Sequence, residues 1–162
     1  MNDFEALQGK RILIVDDEPD VIETLEELLS MAVIETATTF EAAGALMEAK
    51  PFDIAVLDIM GVDGFTLLQI AVEKQIIGVM LTAHALSPQA IIRSHDTGAA
   101  YYIPKEKMSE IAVYLSDILK AKETGENPWK GWFERMSDFL EKKFGPNWQK
   151  NDKSFWDRIS FY

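Results

Sequence analysis

Three aspartates stand at the ends of short apolar runs. Ile12-Leu13-Ile14-Val15 leads into Asp16-Asp17-Glu18, and Ile54-Ala55-Val56-Leu57 leads into Asp58. A nearly unbroken Val/Ile/Leu run reads as a strand buried on both faces of a parallel sheet, so the three carboxylates are expected to emerge together at one sheet edge. Open α/β sheets bind ligands at that edge. Carboxylates a few ångströms apart repel one another, and a hard divalent cation such as Mg²⁺ keeps them all ionised. The spacing therefore predicts a metal site with an aspartate poised beside it.

The elements needed to position these residues follow in order along the chain. After the first strand, Glu18-Pro19 opens a helix whose apolar positions Val21, Ile22, Leu25, Leu28 and Leu29 keep the helical period. A weak strand at Val33–Ala37 precedes a helix from about Thr39 to Ala49, capped by Thr38 or Thr39. The second carboxylate strand, near 52–58, passes through Gly61-Val62-Asp63-Gly64 into a helix at Phe65–Glu73. Strand four is read at Ile76–Leu81, ending at Thr82, and Ser87-Pro88 carries the cap-plus-first-turn signature of a helix running to about His95. Gly98-Ala99-Ala100 turns into a short strand, Tyr101-Tyr102-Ile103, closed by Pro104-Lys105. A last helix from about Ser109 to Lys122 places Ile111, Leu115, Ile118 and Leu119 inward. The pattern predicts a doubly wound α/β fold with a five-stranded parallel sheet and right-handed crossovers. Asp16, Asp17, Asp58, Thr82 and Lys105 then share the carboxyl edge. Singly, each would be an ordinary cap, turn or surface residue. Together they supply metal ligands, a nucleophile and a cationic partner.

Composition sets the frame. The chain of 162 residues suits one full domain with a core and an appendage. It has no cysteine, which excludes disulfides, thiolate zinc sites and cysteine nucleophiles and fits a reducing, cytoplasmic setting. The first residues lack the basic and apolar regions of a signal peptide, and no apolar stretch approaches membrane-spanning length. The net charge of −11 is unevenly placed, with −12 over residues 1–125 and +1 over residues 126–162. An acidic chain without a basic patch is a poor direct binder of DNA or of anionic membrane, because phosphate neutralisation supplies most such affinity.

Four segments in this order resemble the receiver domain of two-component response regulators. They are Ile12-Leu13-Ile14-Val15-Asp16-Asp17-Glu18, Val56-Leu57-Asp58-Ile59-Met60, Leu81-Thr82-Ala83, and Gly98-Ala99-Ala100-Tyr101-Tyr102-Ile103-Pro104-Lys105. The resemblance covers about residues 9–122 and implies a flavodoxin-like (CheY-like) sheet. It implies that Asp58 is the phosphoacceptor, that Asp16 and Asp17 organise Mg²⁺, and that Asp58 and the backbone carbonyl of Met60 join the metal shell. It also implies that Thr82 and Lys105 contact the phosphoryl group, and that Tyr102 is a switch aromatic that turns inward as the Thr82 hydroxyl is drawn in. Such a protein is a phosphoacceptor in phosphorelay signalling rather than an enzyme. Its partners would be a histidine kinase or histidine phosphotransfer protein and a downstream protein.

The chain departs from that pattern in places. The loop after Asp58 reaches Gly64 early, and Glu106 rather than proline follows Lys105, which leaves both cis and trans geometries open there. Met60 and His84 flank the path of attacking water in the family and are expected to tune dephosphorylation. Two rivals stay in view: a pseudo-receiver that signals by binding alone, and a haloacid dehalogenase-type phosphatase. The second needs an Asp where Met60 stands.

The resemblance stops near Thr124, which divides the chain into a receiver at 1–124 and an extension at 125–162. Pro128 starts a helical stripe of Trp129, Trp132, Phe133, Met136, Phe139, Leu140 and Phe144 that ends at Gly145-Pro146. A second piece holds Trp148, Phe155, Trp156, Ile159, Phe161 and Tyr162, so all four tryptophans lie in the extension. It is too short for an ordinary DNA-binding output domain. Left free, this surface would exceed what soluble monomers expose. Two short helices packed on the receiver or across a homodimer are expected, with Trp129, Trp132, Phe133 and Phe155 as buried anchors.

Overall fold

Five parallel strands form one sheet in which, counted along the chain, the second, first, third, fourth and fifth lie side by side, the flavodoxin-like order that the resemblance implies. The computed structural model describes residues 2–83 and 87–161; His84 and Tyr162 lie outside them. The strands are β1 (Arg11–Val15), β2 (Val33–Ala37), β3 (Ile54–Asp58), β4 (Ile77–Thr82) and β5 (Tyr101–Pro104). Every residue of β3 and β5 is buried, as a strand covered on both faces requires. β2, at one edge, is mostly half-exposed, which accounts for its weak apolar signal.

The helices are α1 (Asp3–Leu7), α2 (Pro19–Leu28), α3 (Phe40–Ala49), α4 (Gly64–Glu73), α5 (Pro88–Thr97), α6 (Ile111–Thr124), α7 (Pro128–Phe144) and α8 (Lys153–Phe161). Neighbour packing sets α3 beside α4 and α4 beside α5 on one face of the sheet, and α2 beside α6 on the other, with α1 against α6. Local chemistry starts most of them. Asn2, Thr39, Ser87 and Asn127 accept side-chain cap bonds from their first turns, and proline opens α2, α5 and α7. The helix α1 has no counterpart in the sequence reading, because five residues are too few for a periodic signal. Lys105–Glu110 forms a 3₁₀ segment, which delays the start of α6 to Ile111. No described peptide bond is cis, so Lys105–Glu106 is trans.

The extension does fold as two helices, and it docks in cis. α7 packs on β5 and α6, and α8 packs on α7. Trp129, Trp132 and Phe155 are buried as expected, while Phe133 is only half-buried; Met136, Leu140 and Trp156 complete the buried stripe. Phe133 lies one helical position off that stripe, against Trp148 near the rim. A buried indole removes on the order of 200 Å² from water, about 5 kcal/mol before entropy, so the three buried tryptophans hold a segment that would be marginal as free helix.

Candidate functional site

β1 and β3 run side by side with Val15 opposite Leu57, and β3 pairs with β4 so that Asp58 lies opposite Leu81. β4 pairs with β5 so that Thr82 lies opposite Pro104. This register brings Asp16, Asp17, Asp58, Thr82 and Lys105 to one edge, as the strand pattern requires. Asp16, Asp58 and Thr82 are buried, while Asp17 and Glu18 are exposed.

Lys105 spans the edge. Its Nζ is 2.9 Å from Asp16 Oδ2, 3.6 Å from Glu18 Oε1 and 3.8 Å from Asp58 Oδ1. Asp16 is held in turn by the Glu18 backbone N–H, which donates to its Oδ1 at 2.9 Å. Burial is the largest influence on Asp58 and, with the Asp16 carboxylate beside it, overcomes the Lys105 cation to raise its pKa from 3.8 to about 7. Partial burial works against the charge on Lys105, but the bond to Asp16 and the nearby Asp58 and Glu18 outweigh it and raise the ammonium above its ordinary range. The edge is a strongly negative pocket braced by one cation.

Asp16, Asp17 and Glu18 each offer a carboxylate oxygen within 4.8 Å of the others, and these hard oxygen donors fit a divalent cation. Asp58 is not part of that group, so Glu18 enters where the sequence placed only a helix start. The signal was present in the third acidic residue of the run, but helix starts attract Glu equally. Gly61 (φ +84) packs on Asp17: a Cβ there would stand 2.5 Å from Asp17 Oδ2. Gly64 packs on the backbone carbonyl of Asp58 so closely that a Cβ would collide with it. Both glycines let the short loop after β3 close against the aspartates. Met60, in that loop, is exposed.

Tyr102 is fully buried, and a hydrogen bond to the Ser87 backbone holds its phenol, although burial still pushes its pKa up. Its backbone carbonyl accepts the Trp132 indole N–H at 2.7 Å. The ring thus lies inside the protein in this structure.

These features define a flavodoxin-like α/β protein with a cation-braced acidic pocket at the carboxyl edge of its sheet. The response regulator receiver domain family matches residues 12–115, and the chain belongs to that family. It is 33% identical over 103 residues to the two-component response regulator ARR18 of Arabidopsis thaliana, covering 60% of this chain and 16% of that protein. It is 29% identical over 122 residues to ORR24 of Oryza sativa subsp. indica, covering 70% and 19%. The chain thus spans less than a fifth of the length of these relatives. Among solved structures, a CheY-like receiver domain protein from Methanospirillum hungatei JF-1 aligns with TM-score 0.66 and 26% identity over 73% of this chain and 99% of its own. The receiver domain of Francisella response regulator 1452 shares the fold at TM-score 0.63 and 21% identity, covering 70% and 99%. No helix among the described residues is long and apolar enough to cross a membrane.

Proposed function

We propose that Asp58 accepts a phosphoryl group from a histidine kinase or histidine phosphotransfer protein, and that the modified receiver alters a protein-protein contact. The observation that carries this reading is the placement of a buried strand-end carboxylate, Asp58, 3.8 Å from the Lys105 ammonium and beside a separate acidic cluster. An Asp58 oxygen attacks phosphorus, the bond from phosphorus to the donor nitrogen breaks, and the donor imidazole leaves with the bond's electron pair. Lys105 and Thr82 take up charge on the phosphoryl oxygens, so catalysis is mostly positioning and electrostatics.

Asp16, Asp17 and Glu18, with Asp58 and the Met60 carbonyl at the same edge, would hold Mg²⁺, which when bound offsets negative charge on the phosphoryl oxygens. Asp17 and Glu18, both exposed, are the ligands placed to exchange water for metal. Residues 1–124 act as the receiver and 125–162 as a helical extension of it. The protein is a cytoplasmic signalling component rather than an enzyme acting on a small-molecule substrate.

Intact-mass measurement after incubation with Mg²⁺ and acetyl phosphate tests the assignment. The wild type should gain one acid-labile phosphoryl group, Asp58→Asn none, and Asp17→Asn should gain it slowly. Persistent labelling of the Asp58→Asn variant would falsify the assignment, and a rate indifferent to chelation would remove the magnesium role.

A further inference from the structure

We propose that Gly61 is a positioning residue: the space left by its missing side chain seats the Asp17 carboxylate where a divalent cation can take it. The inference rests on the reading of this edge as a Mg²⁺ site.

The other carboxylates of the edge are held by polar contacts. Lys105 Nζ reaches Asp16, Glu18 and Asp58, and the Glu18 backbone N–H adds a bond to Asp16. Asp17 is different. It is exposed, and among the described residues its carboxylate has neither an ion pair nor a hydrogen bond. An Asp side chain in that situation is free to turn toward water. Yet an Asp17 oxygen lies within 4.8 Å of oxygens of Asp16 and Glu18, against their repulsion.

Its one close neighbour across the edge is Gly61. A Cβ at that position would stand 2.5 Å from Asp17 Oδ2, 2.7 Å from its Cγ and 3.0 Å from its Oδ1, so the carboxylate fills the volume that any other residue would need for its side chain. A role for Gly61 in the turn alone would account for its φ of +84, which other residues adopt at a cost. It would not account for what occupies its side-chain space. Gly125 shows the contrast, with a similar φ of +77 and nothing within 4 Å of the added carbon.

The loop cannot open to make room. Residues 59–63 alone connect β3 to α4, and Ile59 and Val62 are buried on either side of Met60 and Gly61. The Ile59 N–H donates to the Leu81 carbonyl at 3.3 Å, and the Gly64 N–H donates to the Ile59 carbonyl at 3.1 Å. Gly64 already lies against the Asp58 carbonyl. A methyl at position 61 would therefore be accommodated by the Asp17 side chain, whose carboxylate would leave the acidic group. Mg²⁺ demands near-octahedral geometry and gives up water reluctantly, so a ligand already in place matters to its binding.

Isothermal titration calorimetry of Mg²⁺ into the full chain tests the seat. Gly61→Ala should bind Mg²⁺ roughly 10- to 100-fold more weakly, the range for losing an outer partner of a metal ligand. Gly125→Ala, which adds a methyl at a similar φ in open space, should keep the wild-type affinity. Asp17→Asn and the double variant Asp17→Asn/Gly61→Ala should bind Mg²⁺ equally, because both changes act through one carboxylate. If Gly61→Ala folds poorly, Gly61→Asn adds the same Cβ in a residue that tolerates positive φ better, and it should lose affinity likewise. Wild-type affinity in the Gly61 variants, or a Gly61→Ala loss that adds in full to that of Asp17→Asn, overturns the seat and leaves the magnesium site standing. A wild-type chain that takes up no Mg²⁺ removes both.

Discussion

Lys105 Nζ lies 2.9 Å from Asp16 Oδ2 and 3.8 Å from Asp58 Oδ1, so the strand-end cation is seated on the carboxylate after β1 rather than on that of β3. Asp16 is fully buried, and removing its cation would leave an uncompensated charge in the interior. Lys105→Met should therefore cost about 3 kcal/mol in chelator, somewhat less if a proton replaces the lost cation. Added Mg²⁺ should recover part of that loss, since a cation bound to the folded state alone stabilises it. Urea unfolding with EDTA and with Mg²⁺ checks both statements, and equal loss in the two conditions would count against a divalent site at this edge.

Asp58 gives metal-free stability a definite pH slope. Its folded pKa is raised from 3.8 to about 7, so between those values the native state holds a proton that the unfolded chain has released. Stability should then fall as pH rises through this window and level off above it. Asp58→Asn removes that dependence. It should match wild type near pH 4 and exceed it by on the order of 2 kcal/mol at pH 8, a value reduced from the full shift for solvent near the pocket. Urea unfolding of both proteins in EDTA across this range provides the measurement, and parallel curves would refute it.

Two glycines should respond in opposite ways to alanine. Gly64 opens α4 with its Cα against the Asp58 carbonyl, a backbone atom that cannot rotate aside. Gly64→Ala should cost about 1–3 kcal/mol and slow phosphoryl acceptance by displacing the nucleophile. Gly131, inside α7, has nothing near the added methyl and an ordinary helical φ. Gly131→Ala should stabilise by up to about 1 kcal/mol through helix propensity. Thermal or urea unfolding, together with labelling rates, distinguishes the pair.

The sheet and its acidic edge were legible because Ile12–Val15 and Ile54–Leu57 are short, almost purely apolar and end in carboxylates. That pattern has few other physical solutions. Glu18 was harder to read, because one residue can both open a helix and face Lys105, and only tertiary placement shows the second role. The aromatic stripe told that a cover was needed. It did not tell where, since the bonds from Trp129 to Ala99 and Trp132 to Tyr102 each join residues 30 apart, and no local periodicity encodes such a contact. The inward position of the Tyr102 ring was equally hidden, because its partner, the Ser87 backbone, is brought to it only by tertiary packing.

The three buried indoles of the extension differ in one respect that mutation can isolate. Trp129 and Trp132 donate to backbone carbonyls, whereas Trp156 Nε1 has no acceptor among the described residues. Replacing any of them with Phe removes a similar volume and leaves a similar void, so the cavity contribution is roughly common to all three. The hydrogen-bond contribution is not. Trp132→Phe strands the buried Tyr102 carbonyl and should cost about 1–2 kcal/mol more than Trp156→Phe, which removes a donor that was already unpaired. Trp129→Phe should resemble Trp132→Phe, because the Ala99 carbonyl loses its indole partner in the same way. Urea unfolding of the three variants at one pH gives the comparison. Equal losses at all three positions would mean that ring packing alone holds the extension to β5.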